Sequence, residues 1–259
     1  MSAPASRREL LIATIAELLV GCRHVAVGAA SPIPAAGALL ARTRDPGLRV
    51  SLLGSPAHNG FTDGGKELFD CAAQGRIDAF FLSGAQIDGR GNVNLLGVGG
   101  SYPRFERRFQ GCFGAPYLAF LVPRLILFRE DHTPATLVER VDFVSAPGSG
   151  PPGVHRPGGP AFLLTGRCLF RFTGEGFVLE RLHPGETVAS VRAATGFAFA
   201  VAPPVATSSV PDAATLETIR GPVARALADA YPRFAARLVE RTAAATLEAP
   251  TSHTRGLPM

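Results

Sequence analysis

The chain has 259 residues, 46% of them hydrophobic, with 29 glycines and 22 prolines. Enough apolar material for a sizeable core excludes a disordered chain, and the lack of a three-residue glycine period excludes a collagen-like fibre. A formal net charge of +5 favours anionic partners without naming one, and no uncharged apolar run is long enough to span a membrane.

In the first segment Leu10, Leu11, Ile15, Leu18 and Leu19 recur at helical spacing. Glu9 and Glu17 interrupt its apolar run and no cleavage pattern follows, so it reads as a cytoplasmic helix and not a signal peptide. Glu9 falls in the first turn, where its charge suits the helix dipole. "HVAVG" (24–28) is a short strand, and "SPIPAAGALLARTRDPG" (31–47) is a helix entered through proline. "LRVSLLG" (48–54), "KELFDCAAQG" (66–75) and "IDAFFLSG" (77–84) continue as strand, helix and strand. Helices alternating with nearly continuous apolar strands predict a parallel sheet with crossover connections.

Later the rhythm changes. "RLILF" (124–128), "AFLLTG" (161–166), "CLFRFTG" (168–174) and "GFVLERLHPG" (176–185) read as strands joined by short glycine turns, the last two pairing through "TGEG". "TVASVRAATG" (187–196) is a brief helix with Thr187 as its cap. The closing helical stretch, 211–245, should break at Gly221-Pro222 and Tyr231-Pro232, and "TSHTRGLPM" (251–259) reads as a loose tail. The expected fold class is therefore α/β: a layered open sheet with crossover helices, then a more antiparallel C-terminal portion, in one domain over 1–259.

Chemical signals are sparse. Cys22, Cys71, Cys112 and Cys168 lack metal-ligand spacing, so no metal is expected; at least three should be buried free thiols, as suits a reducing, cytoplasmic compartment. The loop "LLGSPAHNGFTDGG" (52–65) fits neither a Walker nor a dinucleotide pattern, and no serine lies in a nucleophile elbow. Its His58 is a candidate acid or base, or a loop hydrogen-bonder. His132 and His183 read as scaffolding. "RFERRF" (104–109) reads as a solvated arginine loop or a phosphate-binding segment. The most polar run, "GAQIDGRGNVNLLGVGG" (84–100), follows the third strand, where open α/β sheets bind ligands. There Asp88, Asn92 and Asn94 either build a turn or face a ligand. Gln86 is costly to bury alone and so orients one or the other.

"LSGAQIDGRGNVN", "LVERVDFVSAPG" (137–148) and "LERLHPGETVASVRAATGF" keep their order and resemble three motifs of class I CoA-transferase β subunits: Gly-Ala-x-Gln-φ-Asp…Gly-Asn-x-Asn, FVEKVDFxTSPG and LxxLHPGVTxxxVxxxTGF. The resemblance implies an α-type partner subunit, in a heterodimer or heterotetramer, and a CoA thioester as substrate. Coenzyme A is then part of the substrate and no cofactor is held permanently; neither nucleic acid nor membrane is an expected partner. Within that reading the candidate catalytic residues are Gln86 and Asp88, with His58 as the local candidate base; Gly84, Gly91, Asn92, Asn94, Cys112 and Phe113 are candidates to meet the acyl group, and Arg104, Arg107 and Arg108 to meet the CoA phosphates.

In transferases of this family a β-subunit glutamate attacks the thioester from the segment resembling Arg49–Pro56. No glutamate occurs there in this chain; Leu52 or Leu53 takes its place, and leucine cannot form an acyl anhydride. "GCFGAPYLA" (111–119) resembles the family's GSGGANDIA, with Phe113 for a glycine and Pro116-Tyr117 for an Asn-Asp pair. The expectation is a β subunit that does not transfer CoA, with hydrolytic carbon–carbon cleavage of a cyclic β-oxoacyl-CoA, as in steroid degradation, as the leading reaction. A glutaconate-type transferase subunit, a decarboxylase subunit and a non-catalytic subunit are the alternatives.

Overall fold

The computed structural model describes residues 3–247. In chain order, α1 (Arg7–Leu18), β1 (His24–Val27), α2 (Pro32–Arg44), β2 (Arg49–Leu52), α3 (Gly64–Ala73) and β3 (Ala79–Leu82) form the first half of the main sheet and its crossovers. Four short strands follow, β4 (Gln86–Asp88), β5 (Val93–Asn94), β6 (Gly97–Ser101) and β7 (Arg104–Arg108), then α4 (Ala115–Leu121) and β8 (Arg124–Arg129). Beyond them lie β9 (Leu137–Val138), β10 (Pro160–Thr165), β11 (Cys168–Phe172), β12 (Phe177–Leu182), α5 (Val188–Ala194) and β13 (Ala200–Thr207). The described chain closes with α6 (Ala213–Thr218), a π-helical turn (Ile219–Val223), α7 (Ala224–Leu227) and α8 (Pro232–Leu247).

Eight strands make one sheet in the order β2-β1-β3-β8-β10-β11-β12-β13. The run from β2 to β10 is parallel throughout. The α/β expectation holds. The antiparallel part is confined to the β10-β11-β12 meander, because β13 returns parallel to β12 at the sheet edge. That edge tolerates Pro203 and Pro204, which lack ladder donors and mask the strand in the sequence. "RFERRF" is not a loop: residues 104–108 are β7, paired with β6 in a separate hairpin.

Apolar side chains fill both faces of the sheet. On one, Leu11, Ile12 and Ile15 of α1 meet Leu39 and Leu40 of α2 and Ile219 and Leu227 near the end of the chain. Gly37 lets α1 and α2 approach, since a Cβ there would stand 2.3 Å from Ile15 Cγ2. On the other, Leu68, Ile87, Val93 and Leu118 pack with the Phe170, Phe177 and Phe197 cluster. Cys22, Cys71 and Cys168 are buried free thiols and Cys112 is half-buried. Burial pushes the Cys168 thiol up to about 12, which leaves it unreactive.

Glu9 does more than the dipole reading expects. It closes a capping box with Ser6 and, fully buried, accepts from Arg220 Nε at 2.6 Å and Nη2 at 3.2 Å. The break expected at Gly221-Pro222 is a π-helical turn, and it presents Arg220 to the start of the chain. Removing one member leaves the other's charge in the core without its counter-charge. Arg220→Ala should cost about 3–5 kcal/mol in urea unfolding, while the double change Glu9→Leu/Arg220→Met should recover most of it.

His132 and His183 are buried scaffolding. His132 Nδ1 is hydrogen-bonded with Thr165 Oγ1 and its Nε2 with Thr195 Oγ1, both at 2.8 Å. His183 Nε2 donates to the Thr165 carbonyl at 3.0 Å and its Nδ1 accepts from Ser208 Oγ at 2.9 Å. Burial lowers both to about 4, with Arg167 acting further on His132 and Arg7 and Arg181 on His183, while Glu186 opposes. The unfolded chain therefore binds more protons than the native one between pH 6.5 and 4, so stability is whole above that window and falls as pH drops through it. Each histidine should cost roughly 2 kcal/mol between pH 7 and 5, read from urea midpoints, and His132→Gln/His183→Gln should flatten the dependence.

Candidate active site

Parallel pairing brings the C-terminal ends of β2, β1, β3 and β8 to one side of the sheet. The chain runs from β1 outward to β2, then returns to place β3 on the other side of β1. Strand order thus reverses between β1 and β3, and a crevice opens there. It contains a cavity of about 270 Å³ lined by Ala30 to Pro34, Ser83 and Phe128 to Asp131. A second cavity of about 710 Å³ adjoins it, lined by Ser83, Gly84, Ala85, Leu95, Arg107 to Gly111 and Arg129. Ser83 and Arg129, at the ends of β3 and β8, line both.

The electrostatics of the two cavities differ. The start of α2 directs its positive dipole end at the smaller one. Pro32 and Pro34 remove two N–H donors there, so the helix supplies field more than hydrogen bonds. Ala30 turns the chain with a left-handed φ of 59°, a conformation that costs an alanine about 1–2 kcal/mol. Two carboxylates line this cavity, each paired with an arginine: Glu130 with Arg8 and Asp131 with Arg129, both at 2.6 Å. The larger cavity presents three arginines and no acid. Arg129 Nη1 donates to the Gly84 carbonyl at 2.8 Å. Arg107 lies over the Phe109 ring, 5.3 Å from its centre.

The polar run behind β3 is clasped internally. Asp88, 2% exposed, accepts from the Arg90 and Asn92 amides at 3.0 and 3.1 Å, from Asn92 Nδ2 at 3.0 Å and from the Val141 amide at 3.4 Å. Asn92 Oδ1 accepts from the Gly148 amide at 3.0 Å. Gln86 Oε1 accepts from Asn94 Nδ2 at 2.7 Å and from the Asp142 amide at 3.0 Å. Asn94 further donates to the Gly97 carbonyl and accepts from the Leu96 and Gly97 amides. Gly91 takes φ 73°, and a Cβ on Gly84 would stand 2.4 Å from Val93 Cγ1. These residues fold the 84–97 loop and bind it to 141–148.

Of the residues singled out in the sequence, Gly84, Arg107 and Arg108 come together in the larger cavity. Gln86, Asp88, Gly91, Asn92 and Asn94 stand behind its wall as the clasp. His58 lies past β2 and lines neither cavity. Arg104 is exposed in the β6-β7 hairpin. Cys112 and Phe113 precede α4; Phe113 is 88% exposed with φ 45° and its ring lies 5.7 Å from that of Phe69. Ser83, Arg129, Glu130 and Asp131 escape the sequence reading, although their place just past the apolar runs "AFFL" and "LILF" is a signal that could have found them.

The coenzyme A transferase profile matches residues 9–194. The chain belongs to the coenzyme A transferase family. The B-type subunit of 3-oxoadipate CoA-transferase from Pseudomonas knackmussii is 34% identical over 163 residues, 60% of this chain and 62% of that one. The B-type subunit of glutaconate CoA-transferase from Acidaminococcus fermentans is 31% identical over 149 residues, 54% of each chain. The chain thus spans less than two thirds of either relative's length. The crystal structure of the decarboxylase AibA/AibB superposes with a TM-score of 0.73 at 26% identity, covering 83% of this chain and 93% of that one. As in that family, helices flank a mostly parallel open sheet. Among the described residues no three metal-ligating side chains gather and no helix is long and apolar enough to cross a membrane.

The clasp assigns stability to its members. Asp88→Ala should strand its donors and lower stability by about 2–4 kcal/mol. Asp88→Asn, which keeps one oxygen for the two turn amides, should lose less, and thermal melts of both variants measure the difference.

Proposed function

We propose that this chain is the B-type subunit of a two-subunit enzyme that acts on an acyl-CoA thioester without passing the acyl group to a carboxylate of its own. Family membership supports the thioester, and relatives named as B-type subunits support an A-type partner. The observation that carries the reading is the exit of β2. It runs Leu52, Leu53, Gly54, Ser55, with Leu52 buried and Leu53 half-buried, so apolar side chains stand where the resemblance places the transferase glutamate.

The leading reaction is hydrolytic cleavage of a ring carbon–carbon bond in a cyclic β-oxoacyl-CoA. Water adds to the ring carbonyl, the bond to the α-carbon breaks, and the electron pair is held as a thioester enolate until it is protonated. Such a step calls for an activated water and for positive potential at the developing oxyanion. Arg129 and the N-terminal end of α2 supply the potential in the small cavity. Glu130 and Asp131 are better placed than His58 to take a proton, with the partner subunit as the other source of a base. Arg107 and Arg108 face an anionic part of the substrate from the larger cavity.

A second reading, acid CoA-transferase, is favoured by the activity named for both curated relatives. One experiment separates the two. The complex of this chain with its A-type partner is given a cyclic β-oxoacyl-CoA, and separately an acyl-CoA with a free acid. Ring-opened product heavier by one water, without exchange of CoA into the acid, is the expected result. CoA exchange with a hydroxylamine-sensitive acyl-enzyme would overturn it.

A further inference from the structure

The family match ends at residue 194, yet residues from beyond it reach the rim of the crevice. We propose that the junction of α7 and α8 is a brace that positions the loops leaving β1 and β2, with Asp229 and Tyr231 as its positioning residues.

Two independent contacts carry this. Tyr231 Oη accepts from the Ser31 amide at 3.2 Å. Ser31 lines the small cavity, next to the left-handed Ala30. Asp229 Oδ2 accepts from Ser55 Oγ at 2.5 Å and from the Ala57 amide at 3.1 Å. Ser55, 1% exposed, accepts in turn from the His58 amide at 3.0 Å. The two loops and the brace converge at Gly54, where a Cβ would stand 3.7 Å from Ala29 Cα and 3.8 Å from Tyr231 Oη.

Geometry explains why a brace is needed. β2 is an edge strand with β1 as its one neighbour in the sheet, so its exit loop is supported by the sheet on one side alone. Asp229 adds a hold from the α7–α8 junction, bonding Ser55, in the segment resembling that of the transferase nucleophile, and Ala57 just past it. Bonding to Ser55 holds the Asp229 carboxyl below its ordinary range, with the Ala57 amide and His58 adding to the effect. The carboxylate therefore remains an acceptor at neutral pH. Asp229 and Tyr231 line neither cavity; they act through the loops they hold.

The activity arm of the test rests on the thioester reading, whereas the exchange arm does not. In the assembled complex, Asp229→Ala should speed hydrogen exchange of the Ala57 and His58 amides about tenfold, and Tyr231→Phe should do the same for Ser31 while keeping the ring. Asp229→Asn should stay close to the parent, since one amide oxygen can accept both bonds. With a turned-over acyl-CoA, Asp229→Ala should lower kcat about tenfold and change KM less than about twofold, the pattern of a displaced reacting wall. Unchanged exchange at Ala57 and His58 in Asp229→Ala would overturn the brace, as would faster exchange with unaltered kcat. If the parent complex turns over no acyl-CoA, the thioester reading fails and the exchange rates still decide the brace.

Discussion

Parallel pairing is the constraint from which the rest follows. Five adjacent strands, β2 to β10, point one way, so every connection must cross over and every C-terminal end arrives at one edge. Reversal of strand order beside β1 then parts the chain there and leaves a crevice that no side chain had to be spent on. Ser31, Ser83, Arg129, Glu130 and Asp131 meet in that crevice because they lie at or just past the ends of β1, β3 and β8, not because they are near in sequence. Arg129 joins its two cavities: it ties the Gly84 carbonyl to Asp131 and contributes charge to both.

Polar loops at such an edge must be held without a core of their own. Here the means is a set of short side chains that hydrogen-bond backbone groups. Asp88 closes its own turn, Asn92 reaches Gly148, and Gln86 with Asn94 fixes the approach to Gly97. Each buried polar group is satisfied by another, which avoids the desolvation cost that any of them would carry alone. The hydrogen bonds of these residues hold the segment that leads to Gly84, Ala85 and Leu95 in the wall of the larger cavity.

Much of the fold was legible in the residues. "HVAV", "RVSL" and "AFFL" are continuous apolar runs between helical segments, and the "TGEG" hairpin and the Thr187 cap declare themselves through local chemistry. What was hidden depends on distant partners or breaks a local rule. β13 carries two prolines and exists because an edge accepts them. β4 to β7 are two to five residues long, and β6 is mostly glycine, so neither period shows. Glu9 reads as an acid matched to the helix dipole until Arg220 arrives from the last helices. The candidate site was half legible: resemblance pointed to the loop at 84–94, while the cavity itself is formed by strand ends whose adjacency only the sheet order determines.

The C-terminal helices bind this arrangement together at two depths. Arg220 reaches into the interior and meets Glu9, a pairing whose geometry must be good because both charges have lost water. Further along the chain, Asp229 and Tyr231 meet the loops leaving β2 and β1, Asp229 through a short charge-assisted bond to the buried Ser55 and Tyr231 through a single neutral bond to the Ser31 amide. The rim of the crevice is thus held by a few hydrogen bonds and not by a packed core, and loops held that way open locally more readily than the sheet does. The bonds from Asp229 to Ser55 and Ala57 fix the course of the chain just past the apolar pair Leu52 and Leu53.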